Sequence, residues 1–415
     1  MTTARQTQGF SPAVGALDAK LRSIRECICE SVIRECEPLL PRIKAIVLTG
    51  SLARDEASFA CHHGEVEALG DAEFLLISED RRHLCSTEVL ELVKNRVEKH
   101  LNEYFQVRCK IDLSPVDRSY LRSLPPHIFT YELKRCGRVI WGNREALAET
   151  RDFSPNHLSR TDAFRLLCNR LIEVLDFALQ DDSAPAGAAD LQYRITKLYL
   201  DMATSLLVFV GGYAPSYWER NNNLQKIASR NQSPAEGIDF KLFAQLVDCS
   251  TQRKLGLHTY GDDISELDLR EAIRFAHQIW HWQLAQLVGV SNYASDRQLF
   301  DKWSASQPFW RRIRGWAYVV RACGWHHSYR QWPHWARLAR QRSPRTAIYL
   351  AAGLLIFGNL GRVDAQNDHP RDLREIRKLL PAEPLFIASL AEYSVADLAR
   401  AIVWNYRTFL ERTRS

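Results

Sequence analysis

No CxxC pair occurs among the ten cysteines of this chain, at 27, 29, 36, 61, 85, 109, 136, 168, 249 and 323. That spacing argues against a zinc ribbon, which needs paired thiolates. The opening stretch MTTARQTQGF lacks the apolar core of a secretory signal. The expectation is a cytoplasmic protein with reduced thiols. The longest apolar run, AIYLAAGLLIFGNL at 347–360, is too short for a transmembrane span. Neither an internal repeat nor a low-complexity tract is visible. Charge imbalance is small too: 55 Lys and Arg against 49 Asp and Glu give +6, with pI near 8.8. This permits an anionic partner without demanding one.

What is present reads as an ordinary soluble composition, 46% hydrophobic and 25% charged over 415 residues. Such a length suggests two or three domains. Leu17, Leu21, Ile24, Ile28 and Val32 repeat at helical spacing over 17–40. KAIVLT at 44–49 is short and β-branched and stops at Gly50, so it predicts a buried strand. AEFLLIS at 72–78 predicts a second strand. Residues 86–103 are patterned as an amphipathic helix. FQVRCKIDLSPV at 105–116 alternates as a third strand ending at Pro115, and GRVIWGN at 137–143 is a short strand between glycines. Beyond about residue 155 the alternation disappears and helical spacing takes over. The predicted fold class is α+β: a mixed α/β domain at 1–150, a helical bundle at 151–295, and a basic, tryptophan-rich helical domain at 296–415. DDSAPAGAAD at 181–190 predicts a loop between two helices.

Asp71 and Glu73 flank Ala72 where the second strand begins. Residues two apart on a strand share a face. Two carboxylates on one face, running into FLLI, repel each other and resist desolvation unless a cation lies between them. Mg²⁺ commonly fills that role, held by one or two carboxylates and substrate phosphates. Asp112 stands inside another strand, where an acid is disfavoured and invites a task. Were that strand beside 72–78, the three acids would surround two ions, an arrangement suited to in-line phosphoryl displacement.

In this order, strand–Gly50-Ser51, then Asp71-x-Glu73, then Asp112, the motifs resemble the DNA polymerase β-type nucleotidyltransferase superfamily. GSLAR at 50–54 is similar to the form in its small-molecule and antitoxin-type bacterial branches, and LKRCGRVIWG at 133–142 resembles the strand that closes the minimal domain. The resemblance covers roughly 40–145. It implies a catalytic domain in which Gly50 and Ser51, with Arg54 one turn on, hold the triphosphate of an NTP, ATP foremost. It implies that Asp71 and Glu73 bind metal, two Mg²⁺ with Mn²⁺ as an alternative, and that Asp112 joins them and activates the acceptor hydroxyl. A nucleoside monophosphate would pass to a small molecule first, RNA second, with release of pyrophosphate. The alternative is a catalytically degenerate domain that binds a nucleotide or a partner. Nineteen residues separate Ser51 from Asp71, more than compact members use, so ACHHGEVEALG at 60–70 is expected to form an inserted hairpin or loop. Its adjacent His62 and His63 lack the convergence of a metal site.

The rest carries weaker signals. Lys197 and Asp201 are spaced as a helical ion pair. Arg321 and His326 fit the loose Arg-x4-6-His pattern of HEPN ribonucleases, which chance also produces. Residues 302–345 hold ten Lys or Arg, no acid, and six of eleven tryptophans. Three readings of that stretch stand: a helical layer with tryptophan inside and arginine outside, a nucleic-acid surface, or contact with an anionic membrane.

Overall fold

The computed structural model describes residues 12–62, 65–177, 187–230, 234–235, 237–256, 267–290, 294–323, 331–360, 370–384 and 394–411. The chain divides into two compact units, one comprising Met1–His157 with Lys254–Leu257, the other Leu158–Arg253 with His258–Ser415. The first is mixed α and β, and the second is helical throughout its described regular elements, so the fold is α+β.

In the first unit, helix α1 (Pro12–Glu35) leads through a 3-10 turn into β1 (Ile43–Leu48), the short helix α2 (Gly50–Ala53), and a hairpin of β2 (Phe59–His62) and β3 (Glu65–Ala68). That hairpin occupies the stretch expected to be inserted; His63 lies outside the described residues. Then follow β4 (Ala72–Ser78), α3 (Thr87–Phe105), β5 (Val107–Arg108), β6 (Ile111–Asp117), α4 (Arg118–Ser123), α5 (Ile128–Cys136) and β7 (Arg138–Gly142). The main sheet has the order β6-β4-β1-β7, and the smaller one β2-β3-β5. β1 runs antiparallel to β4 and to β7, while β4 and β6 are parallel.

β4 is central and covered on both faces, which is why its sequence is a continuous apolar run rather than an alternation. Phe74 and Leu76 join Ile46, Leu48, Ile111 and Leu113 in a core closed by Ile28 and Val32 of α1 and Val93 and Val97 of α3. Leu75 and Ile77 turn the other way, to Ala45, Val47 and Val116 under Leu121, Leu124 and Leu133. The third strand does not stop at Pro115 but continues to Asp117. An edge strand has one row of backbone groups unpaired, so proline's missing N–H is tolerated there. Asp117 then caps α4, accepting from the backbone N–H of Tyr120 at 2.6 Å.

The second unit contains α6 (Arg160–Phe177), α7 (Gly187–Val210), α8 (Tyr217–Ala228), α9 (Phe240–Lys254), α10 (Leu269–Val288), α11 (Asp296–Ser306), α12 (Phe309–Cys323), α13 (Trp332–Gln341), α14 (Pro344–Leu355), α15 (Pro370–Arg377) and α16 (Val395–Tyr406). Its core is aromatic: Trp280 stacks on Phe300 at 5.6 Å between centroids, and Trp303 meets Phe164 edge-on at 4.9 Å. Asp201, spaced to meet Lys197, also has a partner on another helix. Buried Asp201 accepts from Arg170 Nε of α6 at 2.6 Å, and Lys197 lies over the Tyr193 ring. The loop expected at 181–190 and His326 lie largely or wholly outside the described residues.

Candidate active site

Register sets two of the three expected acids face to face, with Asp71 just before β4. In the parallel β4–β6 pair, Glu73 stands directly opposite Asp112 and Ala72 opposite Ile111. Ala72, Phe74, Ile111 and Leu113 all enter the core beneath α1 and α3. Strand alternation therefore sends Asp71, Glu73 and Asp112 to the opposite face. Further along that face Leu75, Ile77 and Val116 are buried, so the acids sit at the open end of a covered surface. Asp71 is exposed and Glu73 partly buried. The Asp112 side chain is half exposed; Ser114 Oγ lies 3.4 Å from its Oδ2, and Lys94 Nζ 3.7 Å from its Oδ1.

Burial pushes the Glu73 carboxyl above its ordinary value, and the charge of Asp112 pushes it further. Arg54 opposes this, while Asp71 and Glu132 add to it. The site is thus rich in negative charge with too little cation to balance it.

The Gly50-Ser51 turn is packed against this same carboxylate. β1 ends, and the Thr49 N–H donates to the Glu73 carbonyl at 2.8 Å. Thr49 Oγ1 lies 3.5 Å from Glu73 Oε2. Gly50 follows with φ of +67°, and a Cβ built there would lie 3.0 Å from both Cδ and Oε2 of Glu73. Glycine is needed twice over, for the left-handed backbone and for the room. Gly50→Ala is expected to lower unfolding free energy by about 1–2 kcal/mol through backbone strain alone, read from urea denaturation; a neutral result would remove this constraint. Ser51 is partly exposed, and its carbonyl accepts the N–H groups of Arg54 and Glu56, closing the turn.

Arg54 does not extend outward toward a ligand. Its side chain is 6% exposed, with Nε 2.9 Å from Glu56 and Nη1 2.6 Å from Glu132. Its influence on the site passes through the field it exerts on Glu73. Thr49, Lys94 and Glu132 join the site without a sequence signal; Glu132 lies 78 residues from Arg54.

An open cleft of about 350 Å³, edged by Arg81, Arg82, Arg118 and Arg122, lies at the other ends of β4 and β6. Along a strand that is roughly 15–20 Å from the acids, and its arginines face carboxylates of their own, as in Arg118 with Glu79 and Arg81 with Asp117. The acids are the chemically distinctive group. Their donors are hard oxygens, the type that suits Mg²⁺. Among the described residues, no three His, Cys, Asp or Glu side chains converge closely enough to hold an ion as they stand. Comparison with protein-family models, curated proteins and solved structures finds no match for this chain.

Proposed function

We propose that the first unit is a metal-dependent nucleotidyltransferase, moving a nucleoside monophosphate from an NTP to an acceptor hydroxyl and releasing pyrophosphate. One observation carries this reading. Glu73 and Asp112 face each other in register at the open end of the sheet, with Asp71 beside them and the Gly50 turn against the Glu73 carboxylate. Stacking like charges at the end of a strand pair is unfavourable unless cations are meant to enter.

Asp71, Glu73 and Asp112 would hold Mg²⁺, which supplies charge neutralisation for the triphosphate and the leaving pyrophosphate. Exposed Asp71 and half-exposed Asp112 are open to close on such an ion, whereas the Glu73 carboxylate lies against Gly50 and the Thr49 hydroxyl. Gly50 and Ser51 would lie against the phosphates. Asp112, at the edge of the sheet, would accept the acceptor hydroxyl's proton or orient it. Arg54 is a positioning residue, moderating the charge on Glu73 from behind. A small molecule is the first-choice acceptor and RNA the second.

The test is incubation of the protein with Mg²⁺, each NTP labelled on the α-phosphate, and a cell extract fractionated into small molecules, RNA and protein. Label is expected in one fraction only, and only with Mg²⁺. Metal-dependent NTP binding with no labelled product would favour a binding module instead.

A further inference from the structure

The described apolar side chains within 302–345 separate into two populations. Trp303, Trp316 and Trp335 are buried, as a structural layer requires. Trp310 is 76% exposed, Phe309 58%, Trp332 45% and Ile313 43%. Phe309, Trp310 and Ile313 crowd the first turn of α12, and Trp332 begins α13. The two helices are neighbours: Trp316 and Trp335 rings lie 6.4 Å apart, and Arg312 Nη1 donates to the Arg340 carbonyl at 3.2 Å. Arg311, Arg314 and Arg321 on α12 and Arg337 and Arg340 on α13 are exposed as well. Among the described residues, no acidic side chain forms an ion pair with any of these five.

We propose that this α12–α13 surface docks on an anionic lipid bilayer. Arginines with no acidic partner among the described residues, beside exposed tryptophan and isoleucine, match an interfacial site, where apolar side chains enter the headgroup boundary and cations meet lipid phosphates. No described helix is long and apolar enough to cross a membrane, so the contact lies on the surface. Single-stranded RNA fits less well: Ile313, one of the exposed apolar side chains, has no ring on which a base could stack. A second copy of the same surface also fits less well, because it would set arginine against arginine with no acid to compensate. The proposal is independent of the catalytic reading of the first unit.

The experiment is flotation of the full chain with phosphatidylcholine vesicles, with and without phosphatidylserine. Binding is expected only with phosphatidylserine and should weaken as salt rises. Arg311→Gln with Arg314→Gln should reduce affinity roughly thirtyfold, at about a factor of five for each arginine. Trp310→Ser with Ile313→Ser should reduce it by at least about tenfold. These side chains are exposed, so thermal unfolding should stay within a degree or two of the parent, showing that the fold persists. Absence of vesicle binding would overturn the proposal. So would binding that the four substitutions leave unchanged. Salt-sensitive binding of single-stranded RNA lost in the same variants, without vesicle binding, would reassign the surface to nucleic acid. Concentration-dependent dimerisation lost with Trp310→Ser would reassign it to self-association.

Discussion

Glu73→Gln is expected to yield a protein more stable than the parent at neutral pH and inert in nucleotidyl transfer. The two effects share a cause. Burial and the neighbouring Asp112 hold the Glu73 carboxyl above its ordinary value of 4.5, so the folded state binds this proton more tightly than the unfolded state does. The group favours the fold at pH values below its unfolded value. That contribution falls as pH rises through the folded value, and above it the ionised carboxylate is a standing penalty. Glutamine keeps the shape and the contact with Thr49 but cannot ionise. The stability difference between variant and parent should therefore be smallest in acid, widen through the weakly acidic range, and level off near neutrality. Thermal melts from pH 3 to pH 8 would trace it. Transfer should meanwhile fall by about a thousandfold, as a charged group facing the reacting phosphates is lost. A variant that is less stable at neutral pH, or that retains transfer, would contradict the assignment of Glu73.

Removing Arg54 should have the opposite effect on stability. Its guanidinium is nearly enclosed and bridges Glu56, 4% exposed, and Glu132, 18% exposed. The pair joins the segment after the turn to α5. Breaking a buried pair from one side leaves its carboxylates without that cation, at a cost of about 3–5 kcal/mol. Arg54→Met keeps the aliphatic volume and isolates the charge. Urea unfolding should show the loss, and a change below about 1 kcal/mol would contradict the buried-bridge reading. Arg54 is also the group that holds the Glu73 carboxyl down. The pH profile of any transfer activity retained by Arg54→Met should therefore move to higher pH, a shift that a purely structural role would not produce.

Several of these features were legible in the sequence. FLLI after Asp71-x-Glu73 signalled a buried strand with acids at its start, and Gly50 signalled the end of β1. A hairpin or loop at 60–70 was expected from the long connection relative to the resembled family, and a hairpin at 59–68 stands there. Pairing of β4 with β6 was the condition on which Asp112 would meet the other acids, and the register meets it for Glu73. Other features were not legible because they depend on partners distant in sequence. Arg54 looked like a ligand for phosphate one turn past Ser51, but Glu132 on α5 claims its guanidinium. Asp201 is spaced to meet Lys197, but its bond to Arg170 of α6 has no local sequence signal. Pro115 read as a strand end because nothing local marks β6 as an edge. In 302–345, composition could not say which tryptophans are interior. That follows from helix packing, which buries Trp316 and Trp335 and leaves Trp310 and Trp332 outside.

The central claim, that the acids at the mouth of β4 and β6 bind a metal–nucleotide complex, is tested most directly by titration calorimetry of ATP into the protein with and without Mg²⁺. The comparison protein is Asp71→Asn, whose altered side chain is exposed and takes no part in the core. Binding that requires Mg²⁺ in the parent and disappears in Asp71→Asn is the predicted result. Absence of binding in the parent, or binding indifferent to both Mg²⁺ and Asp71→Asn, would contradict it.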